Sequence, residues 1–238
     1  MKICLSGYGT MGHVVHECFE GDDTLAGIFD KDYETSFENI DMDVIIDFSH
    51  HSNISKIYQF VKKTHKPVVL ATTGYTPEEM ILIEDLANYA PVLFSSNYSL
   101  GVILMNRIIR EISPILRESF DVEVIEKHHN KKIDAPSGTA KMLIKSIEGD
   151  DEIPCVYGRS GMQKREPLKE IGVHSVRGGT IVGEHEVIYA GLDEVISIKH
   201  EAFSKKIFAK GALQGAHFLI NKENGLYNME DVLFGGKK

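Results

Sequence analysis

Lys127, His128, His129, Lys131 and Lys132 crowd into the stretch Glu126 to Ala140 of a chain whose formal net charge is −9. Imidazoles move protons near neutral pH, and the lysines add fixed positive charge. Pro136 closes the turn, and Ser137-Gly138-Thr139 opens a run with helical spacing, Ala140, Leu143, Ile144 and Ile147. Ser137 is a candidate N-cap, so first-turn N–H groups and a helix dipole face back on the basic turn. Cations opposite a helix N-terminus make an anion site. The competing reading is a solvated loop whose charges keep a strand edge soluble. The global negative charge does not exclude an anionic ligand. Charges beyond about 8 Å are screened at physiological salt, whereas one cation–carboxylate contact at ~4 Å is worth about 4 kcal/mol at an effective dielectric near 20.

Geometry sets a condition on this stretch. On one extended strand His128 and Lys132 would lie about 13 Å apart, so the chain must turn back near Asn130-Lys131 for both to serve one ring. His128 and His129 would also face opposite ways on a regular strand; both serve only if the strand has ended there.

The N-terminal part supplies a second chemistry. Lys2–Ser6 reads as a buried strand, followed by Gly7-Tyr8-Gly9-Thr10-Met11-Gly12 and then helical spacing through Val14, Val15, Cys18 and Phe19. Glycines in a strand–turn–helix context let the backbone approach a pyrophosphate at the helix N-terminus. The next strand, Leu25–Phe29, ends in Asp30, placed where a carboxylate takes the adenosine ribose hydroxyls. A tight turn that needs small residues only for packing is the alternative. Lys31 could neutralise the extra phosphate of NADPH, while Asp30 disfavours it, so NADH and NADPH are both open; Lys31 as a solvated surface lysine is equally open.

Further strands at Asp43–Ser49, Pro67–Ala71 and Pro91–Phe94 alternate with helices at Ser52–Thr64 and Pro77–Asn88. That order implies a parallel, doubly wound sheet, whose ligands bind beyond the strands' carboxyl ends. Asp47-Phe48-Ser49, Ala71-Thr72-Thr73-Gly74 and Ser95-Ser96-Asn97-Tyr98 occupy that edge as a candidate cofactor rim. The pattern changes near Ser99, the expected domain boundary. A long helix from Leu100, bent at Pro114, precedes the basic turn and its helix. Gly149–Lys169 is expected to be a loop or flap. Phe120–Glu126, Ile171–Val176, Thr180–Tyr189 and Val195–His200 are expected to form an open four-stranded sheet. Apolar Ile181, Val182, Val187 and Ile188 would cover both its faces and favour pairing with another copy; one wet face is the alternative. Ser204–Lys222 reads as a second long helix.

With 42% hydrophobic and 26% charged residues in 238, the chain has ample sequence for a core. An acidic chain without a long basic stripe argues against nucleic acid. No apolar run approaches the ~20 residues of a membrane span. Cys4, Cys18 and Cys155 fit neither a disulfide framework nor a zinc pattern, and no charged-then-apolar leader opens the chain. A cytoplasmic location is expected.

The stretch Glu126 to Ala140 resembles the signature of the dihydrodipicolinate reductases (4-hydroxy-tetrahydrodipicolinate reductases), Glu-x-His-His-x-x-Lys-x-Asp-Ala-Pro-Ser-Gly-Thr-Ala, at every fixed position. The resemblance extends over nearly the whole chain, next most densely at Gly183-Glu184-His185 and Phe208-Ala209-Lys210-Gly211. It departs at the glycine turn, where the family usually has one more residue. It implies a Rossmann-like dinucleotide domain over residues 1–98, completed by about 212–238, and an α+β substrate-binding domain over 99–211 whose sheet assembles a homotetramer. It further implies His128 and Lys132 as the catalytic pair, Lys132 the more direct acid. His129 would meet one substrate carboxylate, and Ser137, Gly138 and Thr139 the other.

Together these features point to an oxidoreductase that reduces 4-hydroxy-tetrahydrodipicolinate to tetrahydrodipicolinate, with loss of water, in the diaminopimelate–lysine pathway. Another two-domain dehydrogenase, such as an amino-acid dehydrogenase, or a nucleotide-sensing protein without turnover are the alternatives. A sensor has no need of His128-His129 with Lys132. Asp134 reads as a loop anchor, and His185 and His200 as structural or interface residues.

Overall fold

A computed structural model describes residues 1–235; residues 236–238 of the expected closing segment lie outside the described residues. The chain divides into two units, Met1–Leu100 with the segment from Lys205 onward, and Gly101–Ser204.

In the first unit, short runs apolar on both faces form β1 (Lys2–Ser6), β2 (Thr24–Phe29), β3 (Val44–Asp47), β4 (Val68–Leu70) and β5 (Pro91–Phe94). Helices α1 (Thr10–Glu17), α2 (Ile54–Thr64) and α3 (Pro77–Leu86) connect them. A later strand, Gly225–Tyr227 (β11), completes a sheet of order β11-β5-β4-β3-β1-β2 with every neighbouring pair parallel. Such strands are covered on both sides, which is why Ile3, Leu5, Ile45, Ile46, Leu70 and Leu93 are fully buried. The strand order reverses direction at β1, and the Gly7–Gly12 turn leaves the carboxyl end of that strand. The C-terminal helix Lys206–Leu219 (α6) lies across β3, β4 and β5. It approaches closely because Gly211 has no side chain; a Cβ there would sit 1.7 Å from the Tyr98 carbonyl oxygen. Helix α7 (Met229–Phe234), capped by Asn228, follows β11.

In the second unit, α4 (Leu100–Leu116) runs through Pro114, whose missing N–H falls in its closing turn. The strands are β6 (Asp121–His128), β7 (Cys155–Tyr157), β8 (Ile171–Arg177), β9 (Gly183–Ala190) and β10 (Val195–Ala202), and α5 spans Gly138–Glu148. They form a five-stranded mixed sheet, order β10-β9-β6-β8-β7. The expected four strands gain β7, a three-residue edge strand inside the expected loop; so short a run has no legible periodicity. β9 begins at Gly183, so Ile181 and Val182 belong to the turn and not to a sheet face.

β6 alternates strictly, burying Val122, Val124, Glu126 and His128 on the face toward α5. Ala140, Leu143, Ile144 and Ile147 answer from the helix. Register brings His185 of β9 opposite Glu126 and Arg177 of β8 opposite His128. The other face departs from the apolar expectation. Ile188 lies there, but so do Lys127, Glu184 and Lys199, with Glu184 Oε1 2.6 Å from Lys127 Nζ and 3.1 Å from Lys199 Nζ.

Candidate active site

Glu126 is fully buried at the end of β6, an expensive place for a carboxylate unless it is paired. Arg177 pairs it with both arms, Nη2 to Oε1 at 2.6 Å and Nη1 to Oε2 at 2.8 Å. The Ser137 backbone N–H donates to Oε1 at 3.2 Å, and His128 Nδ1 lies 2.5 Å from Oε2. Burial opposes ionisation, but the Arg177, Ser175 and His128 contacts outweigh it and hold the carboxyl down at about 2.

His128 is held below the ordinary histidine range, first by burial and then by the charges of Lys132 and Arg177, with Glu126 pulling the other way. The His185 ring lies edge-on to it at 5.1 Å. Burial, with His128 nearby, pushes His185 down to about 4, so it is neutral at physiological pH.

The turn required for the basic stretch is present. β6 ends at His128, whose carbonyl accepts from Gly178 N at 2.9 Å. Lys132 N then bonds back to His129 O at 3.1 Å, freeing His129 from strand alternation. Lys132 Nζ pairs with Asp134 Oδ1 at 2.7 Å, and Arg177 Nη2 donates to the Asp134 carbonyl at 2.6 Å. Asp134 therefore anchors the loop. The adjoining Ala135-Pro136 peptide bond is cis.

Ser137 caps α5 as expected, its Oγ accepting from Ala140 N at 3.2 Å. The same oxygen lies 2.9 Å from His185 Nε2. The Ser137 side chain is thus buried and engaged inside the protein. Gly138 and Thr139 form the positive end of the helix, and a Cβ on Gly138 would meet nothing within 4 Å.

In the other unit, the carboxyl edge of the sheet holds a cavity of about 410 Å³ lined by Gly7, Gly9, Asp30, Lys31, Ser49 and Lys56 among others. Gly7 takes φ +86, and a Cβ there would lie 2.6 Å from Ser49 Cα. A Cβ on Gly12 would lie 2.3 Å from Gly7 O, whereas one on Gly9 would meet nothing within 4 Å. Gly12 packs the turn against the helix, and Gly9 leaves the cavity face bare. Tyr8 N donates to Asp30 Oδ2 at 2.6 Å, tying the turn to the end of β2. The Tyr8 ring turns aside onto His13, centroids 4.2 Å apart, with its hydroxyl 2.6 Å from His16 Nδ1. Thr10 is exposed and Met11 half-buried at the start of α1.

Ala71, Thr72 and Thr73 line a neighbouring cavity of about 350 Å³ with Ser49 and His50. The Thr72 hydroxyl donates inward to Asp47 Oδ2 at 2.6 Å, and Ser49 Oγ donates to Asp47 Oδ1 at 2.5 Å. Burial raises the Asp47 carboxyl against those donors. Ser95, Ser96 and Asn97 follow β5 at the same edge but line neither of these two cavities. The Tyr98 side chain is buried, its hydroxyl hydrogen-bonded to Leu70 O at 2.8 Å and Leu93 O at 3.1 Å.

Two models of one family cover this arrangement: dihydrodipicolinate reductase, N-terminus, over residues 1–98, and dihydrodipicolinate reductase, C-terminus, over residues 101–233. The chain belongs to the dihydrodipicolinate reductase family. Relatives in that family include the 4-hydroxy-tetrahydrodipicolinate reductase of Exiguobacterium sibiricum, 45% identical over 242 residues, covering 98% of this chain and 96% of the relative. That of Clostridium botulinum is 44% identical over 248 residues, covering 98% of each. Among solved structures, the dipicolinate-bound dihydrodipicolinate reductase from Paenisporosarcina sp. TG-14 shares the fold with a TM-score of 0.76 at 20% identity, over 96% of this chain and 97% of that one. C. glutamicum DAP dehydrogenase in complex with DAP is more distant, with a TM-score of 0.57 at 14% identity over 100% and 96% of the two chains.

Sequence reasoning missed several residues that the structure brings to these sites. Glu126 stood in the signature without a role, and Arg177 reaches it only through the parallel β6–β8 register, which no local pattern reveals. His185, expected as a structural or interface residue, lies inside, and its partners Ser137 and His128 come to it only through strand register. Lys56 comes from the first turn of α2, where it reads as an ordinary exposed helix lysine.

Proposed function

We propose that this chain catalyses the NAD(P)H-dependent reduction of 4-hydroxy-tetrahydrodipicolinate to tetrahydrodipicolinate with loss of water, in diaminopimelate and lysine biosynthesis. The observation that carries the reading is the joint placement of His128, Lys132 and the α5 N-terminus around the turn after β6. A cyclic dicarboxylate needs both anion contacts and a proton donor, and this turn offers both.

Residues 1–98 with about 212–238 would hold the dinucleotide. The glycine turn fits such a group: Gly9 presents bare backbone to the cavity while Gly7 and Gly12 admit no side chain. When bound, the reduced nicotinamide supplies the hydride. Asp30 and Lys31 flank the ribose position, and both line the same cavity, which supports use of either NADH or NADPH.

Residues 99–211 would take the substrate and assemble the oligomer. The N–H groups of Gly138 and Thr139 receive one carboxylate and His129 the other. Loss of the 4-hydroxyl as water gives the conjugated imine; hydride added to it would leave negative charge on the ring, which a proton from His128 with Lys132 would neutralise. Glu126, held down at about 2, serves as the carboxylate partner of Arg177 and His128. Assembly as a homotetramer through the second unit's sheet draws support from the half-buried Ile125 and Ile188 on its outer face. A cytoplasmic location accords with the reaction; no described helix is long and apolar enough to cross a membrane.

The test is loss of nicotinamide absorbance with freshly generated 4-hydroxy-tetrahydrodipicolinate, run with each cofactor separately. Turnover with at least one is expected. No turnover with either would overturn the proposal.

A further inference from the structure

We infer that Glu126 and Arg177 are positioning residues: the Arg177-clamped carboxylate holds His128 as its Nδ1–H tautomer, leaving Nε2 as the atom that exchanges the reaction's proton. The inference rests on His128 being a proton-handling residue.

Both oxygens of the Glu126 carboxylate accept from donors on neighbouring elements, and the Ser175 hydroxyl adds a further hydrogen bond. Oε1 takes Arg177 Nη2 at 2.6 Å and Ser137 N at 3.2 Å. Oε2 takes Arg177 Nη1 at 2.8 Å and His128 Nδ1 at 2.5 Å. A guanidinium keeps its protons and only donates, and an ionised carboxylate only accepts. The hydrogen in the contact with His128 therefore sits on Nδ1. The hydrogen bond made by one ring nitrogen decides the state of the other, so neutral His128 carries its lone pair on Nε2.

The surroundings of Nε2 agree. On β9, a Cβ at Gly183 would come within 3.2 Å of that nitrogen. A side chain there would crowd the proton-exchanging atom. The charged and titratable groups facing His128 come from four elements: Glu126 on β6, Arg177 on β8, His185 on β9 and Lys132 on the turn. His185 is neutral, and Lys132 with Arg177 disfavours the imidazolium. Glu126 alone favours it, so this one carboxylate fixes the tautomer and is the group that opposes burial and the two cations at the ring.

A purely structural Glu–Arg pair would make different demands. It would stabilise the strand ends without regard to which His128 nitrogen carries hydrogen. The two roles therefore separate in spectroscopy and in the pH profile.

The experiment uses full-length protein labelled with ¹⁵N-histidine, with wild type, Glu126→Gln and His128→Ala compared. Long-range ¹⁵N–¹H correlation of the wild type near neutral pH is expected to show His128 protonated on Nδ1 and bare on Nε2; it needs no variant to fold. In Glu126→Gln an amide N–H can face Nδ1, so the Nε2–H tautomer should appear and kcat fall about 10²-fold. KM for both substrates should stay within about twofold, the rest of the anion site being intact. The alkaline limb of the kcat profile should move to lower pH, because the charge that favours the imidazolium is gone. An Nε2–H wild type, or a Glu126→Gln enzyme with unaltered kcat and profile, overturns the inference. The His128→Ala arm separates the two levels: unimpaired turnover there removes His128 from the chemistry altogether, whereas loss of turnover beside an Nε2–H wild type sinks only the positioning role.

Discussion

Arg177 closes both guanidinium arms on the carboxylate of Glu126 across the parallel β6–β8 pair, at 2.6 and 2.8 Å. The pair is planar-to-planar, a match that Lys would not reproduce. It fastens the last residues of β6 to the neighbouring strand and to the Asp134 loop, and so sets where the basic turn begins.

Removing one partner of a buried ion pair leaves the other unsatisfied. Arg177→Met should therefore destabilise the fold by about 3–5 kcal/mol, measured by urea or thermal unfolding. A midpoint equal to that of the wild type would show the pair to be dispensable.

The same pair makes stability depend on acid. The Glu126 carboxyl is lowered in the folded state from 4.5 to about 2, so its contribution is full above 4.5 and is lost as pH falls toward 2. Unfolding of wild type and Glu126→Gln across that window should show their difference shrinking as pH drops. A difference independent of pH would contradict the assignment.

The glycines of the first turn should respond differently to a methyl group. Gly12→Ala puts a Cβ 2.3 Å from a backbone oxygen and should cost about 1–3 kcal/mol. Gly9, the N-cap of α1, has negative φ (−77) in extended backbone and open space around it, so the thermal midpoint of Gly9→Ala should hold while dinucleotide affinity, measured by fluorescence titration, falls. Equal thermal losses in both would refute the division of roles.

Much of this was readable before any coordinates. The parallel sheet, the glycine turn with Asp30 and the Ser137 cap follow from local periodicity and spacing, because each is decided within a few residues of its own neighbourhood. Arg177 with Glu126 and His185 with Ser137 are contacts between segments remote in sequence, and they exist only once strand register is set. The orientation of the Tyr98 side chain is decided in the same non-local way. Its position after β5 marks it as a rim residue, but its hydroxyl finds the carbonyls of Leu70 and Leu93, so the ring turns inward. The three-residue β7 is too short to announce itself.

Lys31 beside Asp30 lines the cavity proposed for the dinucleotide and offers the charge that an extra phosphate requires. Lys31→Ala should lower kcat/KM with NADPH by about tenfold, the scale of one charge-assisted hydrogen bond, and leave the NADH value nearly unaltered. Parallel losses with both cofactors would assign Lys31 a role unrelated to phosphate.

Lys132 carries the proposed proton chemistry with His128. Lys132→Ala should lower kcat by about 10²- to 10⁴-fold while NADPH affinity stays close to that of the wild type. Undiminished turnover would remove Lys132 as the acid.

The central claim is that a doubly anionic ring binds at the N-terminus of α5 beside His128 and Lys132. A crystal structure of the full chain with reduced cofactor and dipicolinate tests it most directly. The account predicts one carboxylate on the Gly138 and Thr139 N–H groups, the other at His129, and the ring within reach of His128 Nε2. A ring lodged elsewhere, with His128 and His129 turned toward solvent, would contradict it.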